Sequence, residues 1–210
     1  RVGVRQFFYA YLVSFSQLLP APRTCREQQG EVETGRLQVL DILANASAVI
    51  AEGEVLQLSV AQDLSTTEET YLKVVRGKTA ALFAAATEVG GVIADADVAI
   101  VDALRGYGDA LGIAFQIVDD LLDYQGDATV TGKNVGDDFR ERKLTLPVIK
   151  AVALADADER AFWQRTIEKG RQDDGDLETA LGLLNKHETL EATKAEALEW
   201  MERAKASLAP

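Results

Sequence analysis

The densest chemistry in the chain lies between Gly112 and Tyr124, in the run GIAFQIVDDLLDY. Gln116, Asp119, Asp120 and Asp123 in that run, with Asp127 just after it, recur at intervals of three and four residues. On a helix that spacing gathers them into one stripe, and it leaves Ala114, Ile117, Val118, Leu121 and Leu122 on the other side, facing a core. Like charges so spaced destabilise a helix by about 0.2–0.5 kcal/mol per pair, and the helix C-terminus disfavours anions further. No Lys or Arg lies between Arg105 and Lys133 to relieve them. A solvated acidic face is the bland reading of such a stripe. A divalent cation held by oxygen ligands is the chemical one. The neighbouring sequence favours the second. Gly132-Lys133 and Lys143 follow the stripe, and lysines act as point charges for phosphate where glycine lets backbone approach. Carboxylates beside ammonium groups suit a Mg²⁺-diphosphate, with the metal shared between both sets of oxygens. Arg76-Gly77-Lys78-Thr79 offers a further cation just ahead of the apolar run Ala80 to Ala86. Burying that ammonium among Ala and Phe is costly, so it faces a polar cavity or solvent.

Helices must position these residues. Residues 37–64 read as one helix, with Leu40, Leu43, Ile50 and Leu58 at helical spacings. Ser65-Thr66-Thr67-Glu68 has the form of a capping box opening a second helix to about Glu88, which Gly90-Gly91 would stop. A third helix runs from Asp97 to about Tyr124, and a polar loop spans 126–136. Helix resumes near Asp137 and continues to about Leu154, with Pro147 as a kink. The charged remainder reads as a solvated outer layer of two or three helices divided near 170–175 and His187. Trp163, Leu177, Leu181, Leu184 and Trp200 form its inner faces, and His187 sits in a surface loop.

Composition narrows the functions. The 210 residues hold 22 Lys+Arg against 34 Asp+Glu, a formal net charge of −12. A pI near 4.6 argues against nucleic-acid backbone binding as the main task, since that needs a basic face. One Cys and one His exclude an internal disulfide, Cys-cluster metal sites and multi-His zinc. A bound metal would therefore be Mg²⁺, Mn²⁺ or Ca²⁺ on oxygen ligands. No apolar run reaches the roughly 20 residues of a membrane span. Residues 1–34 differ in texture: Phe7 to Phe15 holds five of the fourteen aromatics, and the segment contains no Asp. We read 1–34 as an anomalous N-terminal segment and 35–210 as the main helical unit.

The motifs together resemble the trans-polyprenyl diphosphate synthase family. Gly112-x-x-Phe115-Gln116-x-x-Asp119-Asp120-x-x-Asp123 is similar to its second aspartate-rich motif. Gly132-Lys133 and Lys143-x-Thr145-Leu146-Pro147 resemble the tail that follows it. Gly53-Glu54-x-x-Gln57 and Gly77-Lys78-Thr79 resemble two earlier elements, in the right order. The flavour is that of long-chain bacterial members making octaprenyl or decaprenyl diphosphate. The resemblance implies an all-α, isoprenoid synthase-type bundle around a central cavity, with the N-terminal helices missing or altered. It implies a cytoplasmic, homodimeric prenyltransferase that condenses an allylic prenyl diphosphate with isopentenyl diphosphate. By the same resemblance Asp119, Asp120 and Asp123 hold Mg²⁺ (Mn²⁺ as the alternative), and Lys78, Lys133 and Lys143 bind phosphate oxygens. Thr79 and Gln116 orient ligand, Gln57 and Glu54 line the cavity with packing as their alternative role, and Phe115 packs or lines the wall. The family's first aspartate-rich motif is not found in this chain, which leaves the activity of this chain by itself an open question. A non-catalytic helical partner of a complete synthase and a class I terpene cyclase relative are the competing readings.

Overall fold

The computed structural model describes residues 36–125 and 135–209. Among them all regular structure is helical. Helix α1 (Leu37–Val60) is followed by α2 (Glu68–Val75), which passes through one π-turn (Arg76–Ala80) into α3 (Ala81–Ile93). The long α4 (Val98–Gln125) comes next. Short α5 (Asp137–Arg140) and α6 (Leu146–Leu154) lead to α7 (Ala157–Trp163) and a second π-turn (Gln164–Glu168). Helices α8 (Asp176–Lys186) and α9 (Thr189–Ser207) complete the bundle. The anomalous segment 1–34 and the loop around Gly132-Lys133 lie outside the described residues.

Helix α4 is the axis of the bundle. It packs along α9 on one side and α3 on another, with the first π-turn and α6 closing in. Ile113, Ala114 and Ile117 meet Tyr71, Leu146, Ile149 and Trp200 in one core cluster. Leu121 and Tyr124 belong to a second, with Phe139, Trp163, Ile167 and Leu184. Burial on so many sides changes the division of faces expected from the sequence. Asp120 and Asp123 are only 5% and 6% exposed, while Val118 and Leu122 are 36% and 37% exposed. The apolar face is thus centred on Ile113, Ile117 and Tyr124, with the acids on its edge. Val118 and Leu122 have rotated past it toward solvent.

Several element ends differ from the sequence expectation for local reasons. Gln62 adopts a left-handed φ of 64°, and α1 ends at Val60. The Asp63 carboxylate accepts the Ser65 amide at 2.9 Å, so Thr67 rather than Ser65 caps α2, accepting from the Thr70 amide at 3.2 Å. Gly90 and Gly91 do not stop α3. A Cβ on Gly91 would stand 3.2 Å from Val101 Cγ2 and 3.0 Å from Leu104 Cδ1, so that glycine allows the α3–α4 approach. Pro147 opens α6 instead of kinking a longer helix, because the first turn needs no proline N–H. The C-terminal helices are not merely an outer layer: α9 buries Ala197, Trp200 and Ala204. His187, expected in a surface loop, closes α8 half-buried, with Nε2 2.8 Å from Glu159 Oε2.

Candidate active site

Close helix approaches set the site. Gly53 of α1 lies against Gly77 in the π-turn, where a Cβ on Gly53 would come within 2.7 Å of the Lys78 nitrogen. With no side chain between them, the Lys78 ammonium donates to Gln57 Oε1 at 2.7 Å and lies 3.4 Å from Glu54 Oε1. Gly112 of α4 meets Ala80 in the same way, 2.6 Å from its Cα for an added Cβ. That contact sets Thr79 beside α4, where its hydroxyl donates to Gln116 Oε1 at 3.0 Å. The glycines of three sequence motifs are therefore spacers for the polar residues beside them.

The chain of bonds continues into the acidic stripe. Gln116 Nε2 donates to Asp120 Oδ1 at 2.8 Å, and the buried Tyr71 hydroxyl donates to Asp120 Oδ2 at 2.6 Å. Burial pushes the Asp120 carboxyl up to about 7, and Asp138 and Asp119 add to the rise, although the Tyr71 and Gln116 bonds favour its charged form. Burial and Asp120 together raise the Tyr71 phenol well above its usual range. Neither Tyr71 nor Asp138 was singled out by its sequence. Tyr71 sits in an ordinary amphipathic helix, 49 residues from its partner. Asp138 carried a signal only as an acid inside a basic loop.

Farther along the chain the Lys143 ammonium lies 3.0 Å from Asp138 Oδ1 and also contacts Glu141. Asp123 takes a different part from its two neighbours. Its Oδ2 accepts the Asp138 amide at 3.0 Å and its backbone carbonyl accepts Gly136 N at 2.8 Å. It thus fastens α5 to α4, and it is absent from the cavity wall. Among the described residues no three His, Cys, Asp or Glu side chains come together as a metal-binding group. The expected triad of Asp119, Asp120 and Asp123 is therefore not preassembled. Lys133 lies outside the described residues.

Asp119, Asp120, Lys78, Thr79, Gln116 and Lys143 share a cavity of about 830 Å³ with Gln57 and Glu54. Its remaining wall includes Ile50, Val74, Val75, Leu82 and Phe115. The cavity lining thus combines charged groups of both signs with apolar side chains. These features define a helical bundle of the isoprenyl synthase type.

The comparisons identify the family. The polyprenyl synthetase family model matches residues 8–184, and the chain belongs to that family. The match begins within the segment that its composition sets apart. A polyprenyl synthase crystal structure from Roseobacter denitrificans is 69% identical, with a TM-score of 0.82 over 88% of this chain and 60% of that one. A polyprenyl synthase from Caulobacter crescentus CB15, complexed with calcium and isoprenyl diphosphate, is 48% identical, with a TM-score of 0.82 over 87% and 56%. Octaprenyl diphosphate synthase of Escherichia coli (strain K12) is 42% identical over 174 residues, 83% of this chain and 54% of that protein. The chain spans about half the length of the curated relatives it matches. No described helix is long and apolar enough to cross a membrane.

Proposed function

We propose that this chain supplies the diphosphate-binding wall and part of the hydrocarbon cavity of a prenyl chain-elongating synthase. The reaction joins an allylic prenyl diphosphate to isopentenyl diphosphate. The allylic C–O bond breaks, inorganic diphosphate leaves, the isopentenyl double bond attacks the cation, and a proton is lost. One observation carries the reading: Asp119, Asp120, Lys78 and Lys143 line one cavity with an apolar wall. The diphosphate-bound relative is consistent with it.

The donor set fits Mg²⁺, or Mn²⁺ in its place. Mg²⁺ is commonly held by one or two carboxylates plus substrate phosphates, so a preformed three-carboxylate cage is unnecessary. Asp119 and Asp120, which both line the cavity, are the candidate ligands. When bound, the ion would offset negative charge on the departing diphosphate. Lys78 and Lys143 contribute ammonium donors to the same oxygens, and Lys133 would join them. Gln116, held by Thr79 and tied to Asp120, orients that wall. Phe115, Leu82 and Val75 exclude water from the cation. A homodimer acting in the cytoplasm completes the proposal.

Thermal melts with Mg²⁺ plus inorganic diphosphate test this reading. The wild type should be stabilised only when both are present, and Asp119→Ala should lose most of that stabilisation while folding normally. Equal stabilisation of both proteins would remove Asp119 from the site.

A further inference from the structure

The end of α5 contains an arginine in an unusual place. The Lys143 amide bonds to Asp138 O and the Arg142 amide to Phe139 O, both at 2.9 Å. This is the paired bonding of a Schellman cap, and Arg142 occupies the left-handed position with φ of 57°. Glycine is the residue that takes that conformation without strain. A side chain retained there at a conformational cost needs a use.

Its surroundings indicate one. Arg142 lines the same cavity as Asp119 and Lys143. Its guanidinium lies against Gly170, where an added Cβ would stand 2.5 Å from one terminal nitrogen. Gly170, with a φ of 62° and no side chain, leaves room for the arginine. The other described cavity cations have partners: Lys78 has Gln57 and Glu54, and Lys143 has Asp138 and Glu141. Arg142, half-buried, makes no side-chain hydrogen bond or ion pair among the described residues. A guanidinium offers a planar fork matched to two oxygens of a phosphate.

We propose that Arg142 is a diphosphate-binding residue, gripping non-bridging oxygens in the cavity that it lines together with Lys78 and Lys143. The proposal rests on the diphosphate reading of the cavity and adds to it a cation that none of the motifs contains. The diphosphate belongs either to the allylic substrate or to isopentenyl diphosphate, and separate titrations distinguish them. Calorimetric titration in Mg²⁺ would use a non-ionising thiolodiphosphate analogue of geranyl diphosphate, and separately isopentenyl diphosphate. Arg142→Gly should melt no lower than wild type, since it relieves the left-handed strain. It should bind one of the two ligands about ten- to hundredfold more weakly, the range expected for losing charge-assisted bonds. Arg142→Lys should recover part of the loss. A loss confined to one ligand assigns the residue to that substrate and supports the proposal. Wild-type binding of either ligand, with Arg142→Gly within twofold of it for both, overturns the role of Arg142 alone. A wild type that binds neither ligand overturns the cavity reading and this inference together. Lower melting of Arg142→Gly with unchanged affinity marks the side chain as a packing element and overturns the inference.

Discussion

Asp120 is the residue on which the acidic wall turns. It is buried, both its oxygens are bonded, and its carboxyl is pushed up to about 7 chiefly by loss of solvent. Its raised value sets the sign of a pH effect. Stability associated with Asp120 is full below its unfolded value near 3.8 and is lost as pH rises through 7. Asn cannot titrate. In metal-free buffer, Asp120→Asn should therefore gain on the wild type in calorimetric melts between pH 5 and 9, and parallel profiles would refute the assignment. The acids themselves were legible because their spacing marks one helix face. Their division of labour was not. Spacing cannot tell that Asp123 holds the Asp138 amide while Asp119 lines the cavity, because that depends on where α5 packs.

At the scale of elements, the site depends on backbones that nearly touch. A Cβ at Gly53 would meet Lys78 N and Gly77 C, and no rotamer change can move backbone aside. Gly53→Ala gains up to about 1 kcal/mol in helix propensity but incurs about 1–3 kcal/mol of overpacking. We expect a net loss of stability in denaturant titration and weaker binding of Mg²⁺-diphosphate as Lys78 shifts. Gly90→Ala is the contrast: nothing lies within 4 Å of its added Cβ, so it should stabilise α3 by up to about 1 kcal/mol. The π-turn is the second element-scale device. Tyr71 and Thr79 both reach the acidic face of α4, at Asp120 and Gln116. Eight residues of plain α-helix would leave them about 80° apart. The wider turn brings Thr79 round. The sequence reading had one continuous helix here, since a π-turn leaves no mark in apolar periodicity.

Across the whole molecule, the C-terminal helices brace the site from behind. Lys150 of α6 joins Glu68 of α2 at 2.7 Å and Glu196 of α9 at 3.0 Å. Arg76 and Arg203 lie over the Trp200 ring, at 5.8 Å and 4.3 Å from its centre. The all-helical architecture was legible from its periodicity and few prolines, yet the place of α9 was not. Apart from Leu190 and Trp200 its buried positions are small (Thr189, Thr193, Ala197 and Ala204), so they carry little apolar signal. Farther out, Lys186 and His187 hold the buried Glu159 carboxyl down to about 2, and the Asp156 amide supports it. That contribution is full above about pH 4.5 and is lost as pH falls through 2. Glu159→Gln should melt lower than wild type at pH 7, with the gap closing toward pH 2. The first π-turn also limits how the bundle can change length. Excising one residue from 76–80 would shorten the path by about 1.5 Å, a step the 61–67 connection could absorb. Seven plain helical steps from Tyr71 to Thr79 would then total about 700°, so the two would still share a face to within about 20°. One deletion within the bend is therefore tolerable, whereas a second, leaving about 600°, would carry the Tyr71 hydroxyl off Asp120.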